Sequence, residues 1–482
     1  MTLPTTSARE PLTLDEAAAG LLGDRIDVAL RLARRSGRAV ASVSVAVPAA
    51  LDLSAAVLAA RGPADRFFCI EQPGRDEHAV CGLGTAVAFE SSGPQRFVEV
   101  AAECRALAAR TVAGDSSIDP GRPPGAGPIF VGGFAFDSRG GWSPEWASFA
   151  PAQMVLPEVS LARQGGEARM TVNVALDGHE GRGAVLQRVR DRLAGLHPAP
   201  MPLLDPDPVA RARVAGAAPP SHYEEAVRRA VERIRAGELD KVVLAREVRV
   251  HSGAPTDPAP VLDALRAAFA DCYCYCVGSA EAAFVGASPE LLVRRDGSRA
   301  QSVALAGTTR RSADPAVDLH LGEQLLQSDK NRMEQAIVAR RIERTLDPVS
   351  LWVAAGEEPV LVKVQNVQHL ATPIRAQLAR PVSTVELAGR LHPTPAVGGE
   401  PAAVAAPLIP ALEGLDRGWY AGAVGWTDLT EDGEFCVALR CALLRGPVAH
   451  LYAGCGIVAD SIPAEELAET EVKLEALLPL LT

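Results

Sequence analysis

A few ionisable groups stand in stretches of this chain that otherwise read apolar, and their types and spacing are where any chemistry should be sought. Lys241 heads the run "DKVVLAREV", whose Val242, Val243, Leu244 and Val248 suit a buried strand. A lysine there either keeps its ammonium in water at the strand end or is partly desolvated. Desolvation lowers an amine's pKa and fits it to act as a base. Glu290, in "GASPELLVRRDG", follows a Ser-Pro turn and leads into Leu291, Leu292 and Val293. It is either a solvated turn glutamate or a buried carboxyl that holds its proton near neutrality, as a general acid must.

A second set has the look of a cation site. Glu334, in "QSDKNRMEQAIVARRI", shares a helix face with Ile337 and Val338. In "PAEELAETEVKLEALL", Glu466, Glu469 and Lys473 lie at i, i+3 and i+7, one stripe of a helix. Two carboxylates so spaced, with a third from another helix, suit Mg²⁺, which takes oxygen ligands and leaves room for water and substrate. A solvated face with a Glu469–Lys473 ion pair accounts for the spacing equally well. Arg440 reads as a cation inside the apolar strand "FCVALRCALL", placed to hold a carboxylate. Gly454 and Gly456 in "YAGCGIV" let a ligand approach the backbone, and His369 stands in "VQHLATPI".

The elements that must position these groups can be read more coarsely. A helix opens near Ser221, with Glu224 completing a capping box and Gly237 ending it. Strands follow at 272–278, 282–286 and 290–295, then a long helical segment from about Val317 to Leu346. Further strands are expected at 361–370, 420–428 and 434–445. A last helix starts near Pro463, with Ser461 or Asp460 as its cap. Strands come in adjacent runs with helices between blocks, which argues an α+β fold with large sheets. Residues 1–12 read as frayed, and Pro/Gly-rich stretches at 113–128 and 197–221 read as a surface loop and a connection.

Composition narrows the function classes. The chain has 482 residues and a net charge of −11, which argues against nucleic acid or an anionic membrane surface as partner. An anionic substrate would have to be held by local positive groups. There is no basic, then apolar, leader and no apolar run long enough to span a bilayer, so a cytoplasmic location is expected. Nine cysteines are scattered through the chain. Cys272, Cys274 and Cys276 on one strand would stand about 7 Å apart, too far for one zinc ion, so they read as core residues.

From about residue 220 to 480 the ordered motifs "DKVVLAR", "GASPELL", "ALAGTTRR", "SDKNRMEQ", "QHLATPI", "LHPTPAVGG", "YAGAVGW", "ALRCALL", "YAGCGIV" and "EELAETEVKL" resemble the chorismate-utilising enzymes. The first half resembles them only through "FVGGFAF". The resemblance implies large, mostly antiparallel sheets packed face to face with helices outside. It divides the chain into a less-matched N-terminal half (1–200), a Pro/Ala-rich connection (201–220) and a chorismate-binding catalytic region (221–482).

Lysine at 241 with alanine at 306 looks like the water-adding branch of that family, an isomerase forming isochorismate. Salicylate synthases share this branch, and aminating relatives such as anthranilate synthase components lack the lysine. By resemblance Lys241 is the base that activates water for attack at C2, and Glu290 the acid that protonates the departing C4 hydroxyl. Mg²⁺ would be held by Glu334, Glu466 and Glu469. The substrate-binding residues implied are Ala306, Gly307, Thr308, His369, Tyr420, Arg440, Gly454, Gly456 and Lys473. Chorismate is the expected partner, with no glutaminase subunit. Three positions depart from the family's wording: Asn331 for an acidic residue, Gln335 for histidine and Cys455 for a smaller residue.

Overall fold

The structure is a computed structural model that describes residues 10–114, 122–205 and 212–482. Parts of the expected frayed start and of both Pro/Gly-rich stretches fall outside these. Two large sheets dominate. The first runs from Arg213–Gly216 through Lys241–His251, Val448–Ile457, Cys441–Arg445, Ala283–Ser288 and Tyr273–Gly278. It continues through Phe67–Gln72, His78–Leu83, Val159–Gln164, Glu167–Leu176 and Ala39–Val47 to Thr111–Val112. The second runs from Ser350–Ala355 through Val367–Leu378, Arg299–Arg310, Leu291–Asp296, Gly433–Val437, Ala423–Asp428 and Ile129–Phe134 to Ala152–Leu156 and Val87–Ser91. Pairing is antiparallel throughout except between Ala39–Val47 and Thr111–Val112. Strands from both halves of the chain thus share both sheets.

Alternation explains the layering. Phe68, Ile70, Tyr275 and Phe284 of the first sheet and Val131, Phe134, Trp426 and Phe435 of the second meet in one buried cluster between the sheets. The opposite face of the first sheet packs under helices Glu16–Ser36, Leu53–Ala60, Arg182–Ala194 and Pro258–Ala268, where Leu22, Ile26, Val57, Val189 and Leu262 are buried. The architecture is the expected α+β arrangement of face-packed sheets with helices outside. All nine cysteines are buried. No described helix is long and apolar enough to cross a membrane.

Several local expectations are corrected. The helix expected at Ser221 begins at Pro220 with Pro219 as its cap, and no side chain caps it. Proline at the first position has no N–H to satisfy, which removes the need for the Ser221–Glu224 box. The last helix, Pro463–Leu474, begins the same way after Ile462, and Ser461 instead accepts from the Val458 N–H at 3.1 Å. The segment 317–346 is two helices, Pro315–Gln327 and Asp329–Leu346. Between them Ser328 takes an extended conformation and caps the second helix. The strand expected at 361–370 is a tight hairpin, with Lys363 paired to Gln368.

The correction with most consequence concerns 434–445. Gly433–Val437 belongs to the second sheet and Cys441–Arg445 to the first, so the chain crosses between layers at 438–440. Arg440 is therefore not inside a strand; it sits at the corner, with φ 47°.

A buried ion pair ties this corner's neighbourhood together. Arg417 pairs with Glu413 and donates to the carbonyls of Val397 at 2.8 Å and Val243 at 2.9 Å. The Glu413 carboxylate accepts the Ala245 N–H at 2.7 Å. Removing one partner of such a pair leaves the other charge buried alone. Arg417→Met should therefore cost about 3–5 kcal/mol in denaturant unfolding, and the double change Arg417→Met with Glu413→Leu should recover part of that loss.

Candidate active site

Along the Lys241–His251 strand the inward residues are Lys241, Val243 and Ala245. Val243 is paired with Gly456 and Ala245 with Gly454. Lys241 is fully buried, with Nζ 2.8 Å from Glu334 Oε1 on helix Asp329–Leu346. That contact is too bent to be a hydrogen bond, and Nζ has no hydrogen-bond partner among the described residues. Gly456 makes room for the pair: a Cβ there would meet the Glu334 carboxylate and lie 2.7 Å from Lys241 Cε. A Cβ on Gly454 would lie 3.0 Å from Tyr420 Oη. Both glycines serve close approach rather than a turn.

The pocket beside this strand is lined by Glu290, Ala306, Gly307, Thr308, Glu334, His369, Tyr420, Arg440, Gly454, Gly456, Glu466, Glu469 and Lys473. Every site residue expected from the sequence is in that lining except Lys241, which lies behind Glu334 and Gly456.

Glu290 stands on the second sheet's side, where Ser288 Oγ accepts its N–H at 3.2 Å and its own carbonyl accepts the Val437 N–H at 3.0 Å. Burial pushes its carboxyl up to about 8; Lys241, the nearby Thr394 hydroxyl, Arg440 and Lys473 oppose that without cancelling it. The Thr394 hydroxyl makes no well-formed hydrogen bond among the described residues. Glu290 thus keeps its proton at neutral pH.

Arg440 is buried at the corner between the sheets. Its Nη2 donates to His369 Nε2 at 3.0 Å, while Nη1 is buried with no partner among the described residues. Burial, Arg440 and Lys473 push the His369 imidazole well below its ordinary range, so the ring is neutral. With Nε2 accepting from Arg440, the ring proton lies on Nδ1, which is 3.1 Å from Thr308 Oγ1. A β-bulge between Ala306 and Thr308, with Gly307 at φ 77°, aims Thr308 at this histidine. Tyr420 lies in the turn before strand Ala423–Asp428 and stacks on Tyr452 at 5.2 Å between ring centres.

The three acidic residues proposed as a cation set each hold a lysine. Glu334 holds Lys241, Glu466 holds Lys330 at 2.9 Å, and Glu469 holds Lys473 at 2.7 Å. Lys473 also donates to the Gly454 carbonyl at 2.9 Å. The Glu466 and Glu469 carboxylates lie within 4.8 Å of one another and of Cys455 Sγ, whereas Glu334 is outside that group. Burial and then Glu469 push the Glu466 carboxyl up. Burial works against ionisation of Glu469 too, but Lys473 overrides it and holds the carboxyl below its usual range. Burial likewise raises the Cys455 thiol, so it is a neutral neighbour rather than a hard-cation ligand.

Sequence reasoning missed Lys330, Tyr452 and the Glu413–Arg417 pair. Lys330 lay in plain view within "SDKNRMEQ", but its partner is 136 positions away and no local spacing reveals it. Two of the departures are structurally quiet: Asn331 Nδ2 donates to Ser328 Oγ at 2.8 Å, and Gln335 Nε2 donates to Thr372 Oγ1 at 2.5 Å.

With this geometry in hand, comparison with known proteins is informative. A sequence model of the chorismate binding enzymes matches residues 27–482. The chain belongs to that family. It is 37% identical over 408 residues to a salicylate biosynthesis isochorismate synthase of Pseudomonas aeruginosa, covering 84% of this chain and 83% of the relative. It is 33% identical over 419 residues to the isochorismate synthase MenF of Bacillus subtilis, covering 86% and 88%. Among solved structures, the menaquinone-specific isochorismate synthase MenF of Escherichia coli superposes with a TM-score of 0.76 at 28% identity, over 96% of this chain and all of that one. As a chorismate binding enzyme the chain has a small-molecule substrate, and the pocket between its sheets gathers Glu290, Glu334, Arg440, Glu466, Glu469 and Lys473 in one lining.

Proposed function

We propose that this chain converts chorismate to isochorismate, as its relatives of that name do. The observation that carries the reading is a carboxyl that keeps its proton, Glu290, facing a pocket bordered by a buried lysine, Lys241. Water adds at C2 of the ring. Lys241 takes the water's proton, the ring double bonds shift, and the C4 hydroxyl leaves as water with the proton of Glu290. One water enters and one leaves, so the step is an isomerisation. Glu334 covers Nζ, and it is the side chain that must shift for Lys241 to reach the attacking water. Addition of water needs no ammonia, hence no glutaminase subunit.

The free Nη1 of Arg440 and the Tyr420 hydroxyl are placed to hold the enolpyruvyl carboxylate, with Gly454, Gly456 and Lys473 alongside. Ala306, Gly307 and Thr308 line the opposite wall with His369. The donor set also fits Mg²⁺. Glu466 and Glu469 are paired buried carboxylates, and Glu334 faces the same pocket from another helix. A divalent cation bound there would neutralise the ring carboxylate of the substrate. Its charge would replace that of the lysines now standing on those glutamates.

Incubation of the pure protein with chorismate and Mg²⁺ should yield isochorismate, without pyruvate until an isochorismate pyruvate-lyase is added. Lys241→Ala should lower kcat by at least about 10² while the protein stays folded. Pyruvate released directly from chorismate would replace this reading with salicylate formation.

The pH dependence follows from Glu290. An acid must be protonated, and this one loses its proton as pH rises through about 8. The kcat/KM profile should therefore fall on the alkaline side with an apparent pKa near that value. Glu290→Gln should abolish the limb along with most of the activity. Persistence of the same alkaline limb in Glu290→Gln would remove Glu290 from the acid's role.

For the cation, EDTA should silence the wild type. Glu469→Gln should raise the Mg²⁺ concentration needed for half-maximal activity and for the Mg²⁺-dependent rise in Tm, with the last helix intact by circular dichroism. Full activity in EDTA would exclude the metal assignment.

A further inference from the structure

The segment 392–399, within the motif "LHPTPAVGG", separates the reaction pocket from a second cavity. Ala396 and Val397 face the first, while His392, Pro393, Gly398 and Gly399 line the second, whose volume is ≈290 Å³. We propose that this second cavity is a binding site for a small monocarboxylate with an apolar body.

Arg96 supplies the charge. It is 5% exposed and donates to the Ala135 carbonyl at 2.9 Å and, at 3.4 Å, to that of Gly93. No carboxylate among the described residues pairs with it, and its Nε has no hydrogen-bond partner. A buried guanidinium left without an anion carries an uncompensated desolvation cost, which a bound carboxylate would relieve. Burial also pulls the Arg96 guanidinium down to about 10, against the effect of Asp137. Asp137 lines the cavity but is already engaged by Arg139, through the backbone N–H at 2.8 Å and the guanidinium at 3.1 and 3.2 Å. Arg96 thus shares the charge of Asp137 with Arg139, and a ligand carboxylate would give it an anion of its own. Helix Ala402–Glu413 also favours an anion, since its first residue lines the cavity and no side chain caps its N-terminus.

His392 forms a neutral wall of the cavity. Its Nε2 faces the Phe136 carbonyl at 3.1 Å, and burial with the charge of Arg96 pushes the ring down to about 3. The neutral ring therefore carries its proton on Nε2. Its Nδ1 is buried with no hydrogen-bond partner among the described residues. Phe136, Ala405 and Ile409 form the apolar walls. The volume falls just below the roughly 300–1,000 Å³ of drug-sized pockets, which suits a single-ring acid.

The test uses 3-bromo-4-hydroxybenzoate as probe. In soaked crystals the anomalous signal of bromine should fall in this cavity with the carboxylate on Arg96. Bromine only in the reaction pocket, or nowhere, overturns the proposal. In solution, calorimetry on an Arg440→Gln background, which weakens carboxylate binding in the reaction pocket, should still show binding. Arg96→Gln and Ala406→Trp should each weaken it at least tenfold. Ala406 is on the exposed side of its helix, so its replacement fills the cavity mouth without disturbing the core and serves even if Arg96→Gln does not fold. The neutral amide of the probe should bind at least tenfold more weakly than the acid; equal binding overturns the carboxylate assignment. None of these readouts depends on turnover, so the outcome stands apart from that of the isochorismate assignment.

Discussion

Bringing ammonium and carboxylate groups out of water into a cleft between two apolar sheets is costly unless each charge meets its opposite. Much of the pocket's construction follows from that constraint. Lys241, Lys330 and Lys473 are each matched to a glutamate, and Arg440 spends one nitrogen on a neutral histidine and keeps another free. Gly456 exists to let one of these pairs pass the strand, since any side chain there would occupy the space of Glu334. Glu290 shows the alternative solution. With no ion-pair partner among the described residues, it stays neutral by holding its proton against the pull of Lys241.

The positions of these groups depend on the two sheets meeting at a corner. The chain leaves the second sheet after Val437 and joins the first at Cys441, and Arg440 occupies the bend between them. The Ala287 N–H donates to the Arg440 carbonyl at 3.0 Å, and the Ser288 hydroxyl donates to the Val437 carbonyl at 2.5 Å. The turn carrying Glu290 and the corner carrying Arg440 are therefore fixed to each other by backbone contacts. The Glu413–Arg417 pair adds a third tie, joining the Lys241 strand to the segment 392–399. The base, the acid and the carboxylate holder of the proposed reaction come from distant parts of the chain, and these contacts give them a common frame.

How much of this was legible in the sequence depends on the range of the interaction. Strands with β-branched runs, such as Lys241–His251, and helices with proline at their start were readable because their signals are local. The helix caps were misassigned where proline made a side-chain cap unnecessary. The break at Ser328 was missed because apolar periodicity continues across it, although Ser-Asp is itself a start signal. The corner at 438–440 was invisible: "FCVALRCALL" is apolar throughout, and only the assembly of two sheets tells which residues belong to which. Motif order brought nearly all the pocket's residues to notice, while the Lys–Glu pairing could not be read. It joins positions on strands and helices that sequence distance keeps apart.

The pairing has one more consequence for the proposed reaction. Lys241, Lys330 and Lys473 each stand on a glutamate in or beside the pocket, and Arg440 adds a cation with no carboxylate of its own among the described residues. Chorismate brings two negative charges. Alone it would add two buried negative charges to a cleft already rich in carboxylates, in a protein whose net charge is −11. Accompanied by a divalent cation it leaves the balance unchanged. In the structure the lysines supply countercharge to those carboxylates. In the proposed reaction a divalent cation would take over that countercharge from the lysines, so the constraint that shapes the pocket would also favour substrate and metal entering as a matched pair.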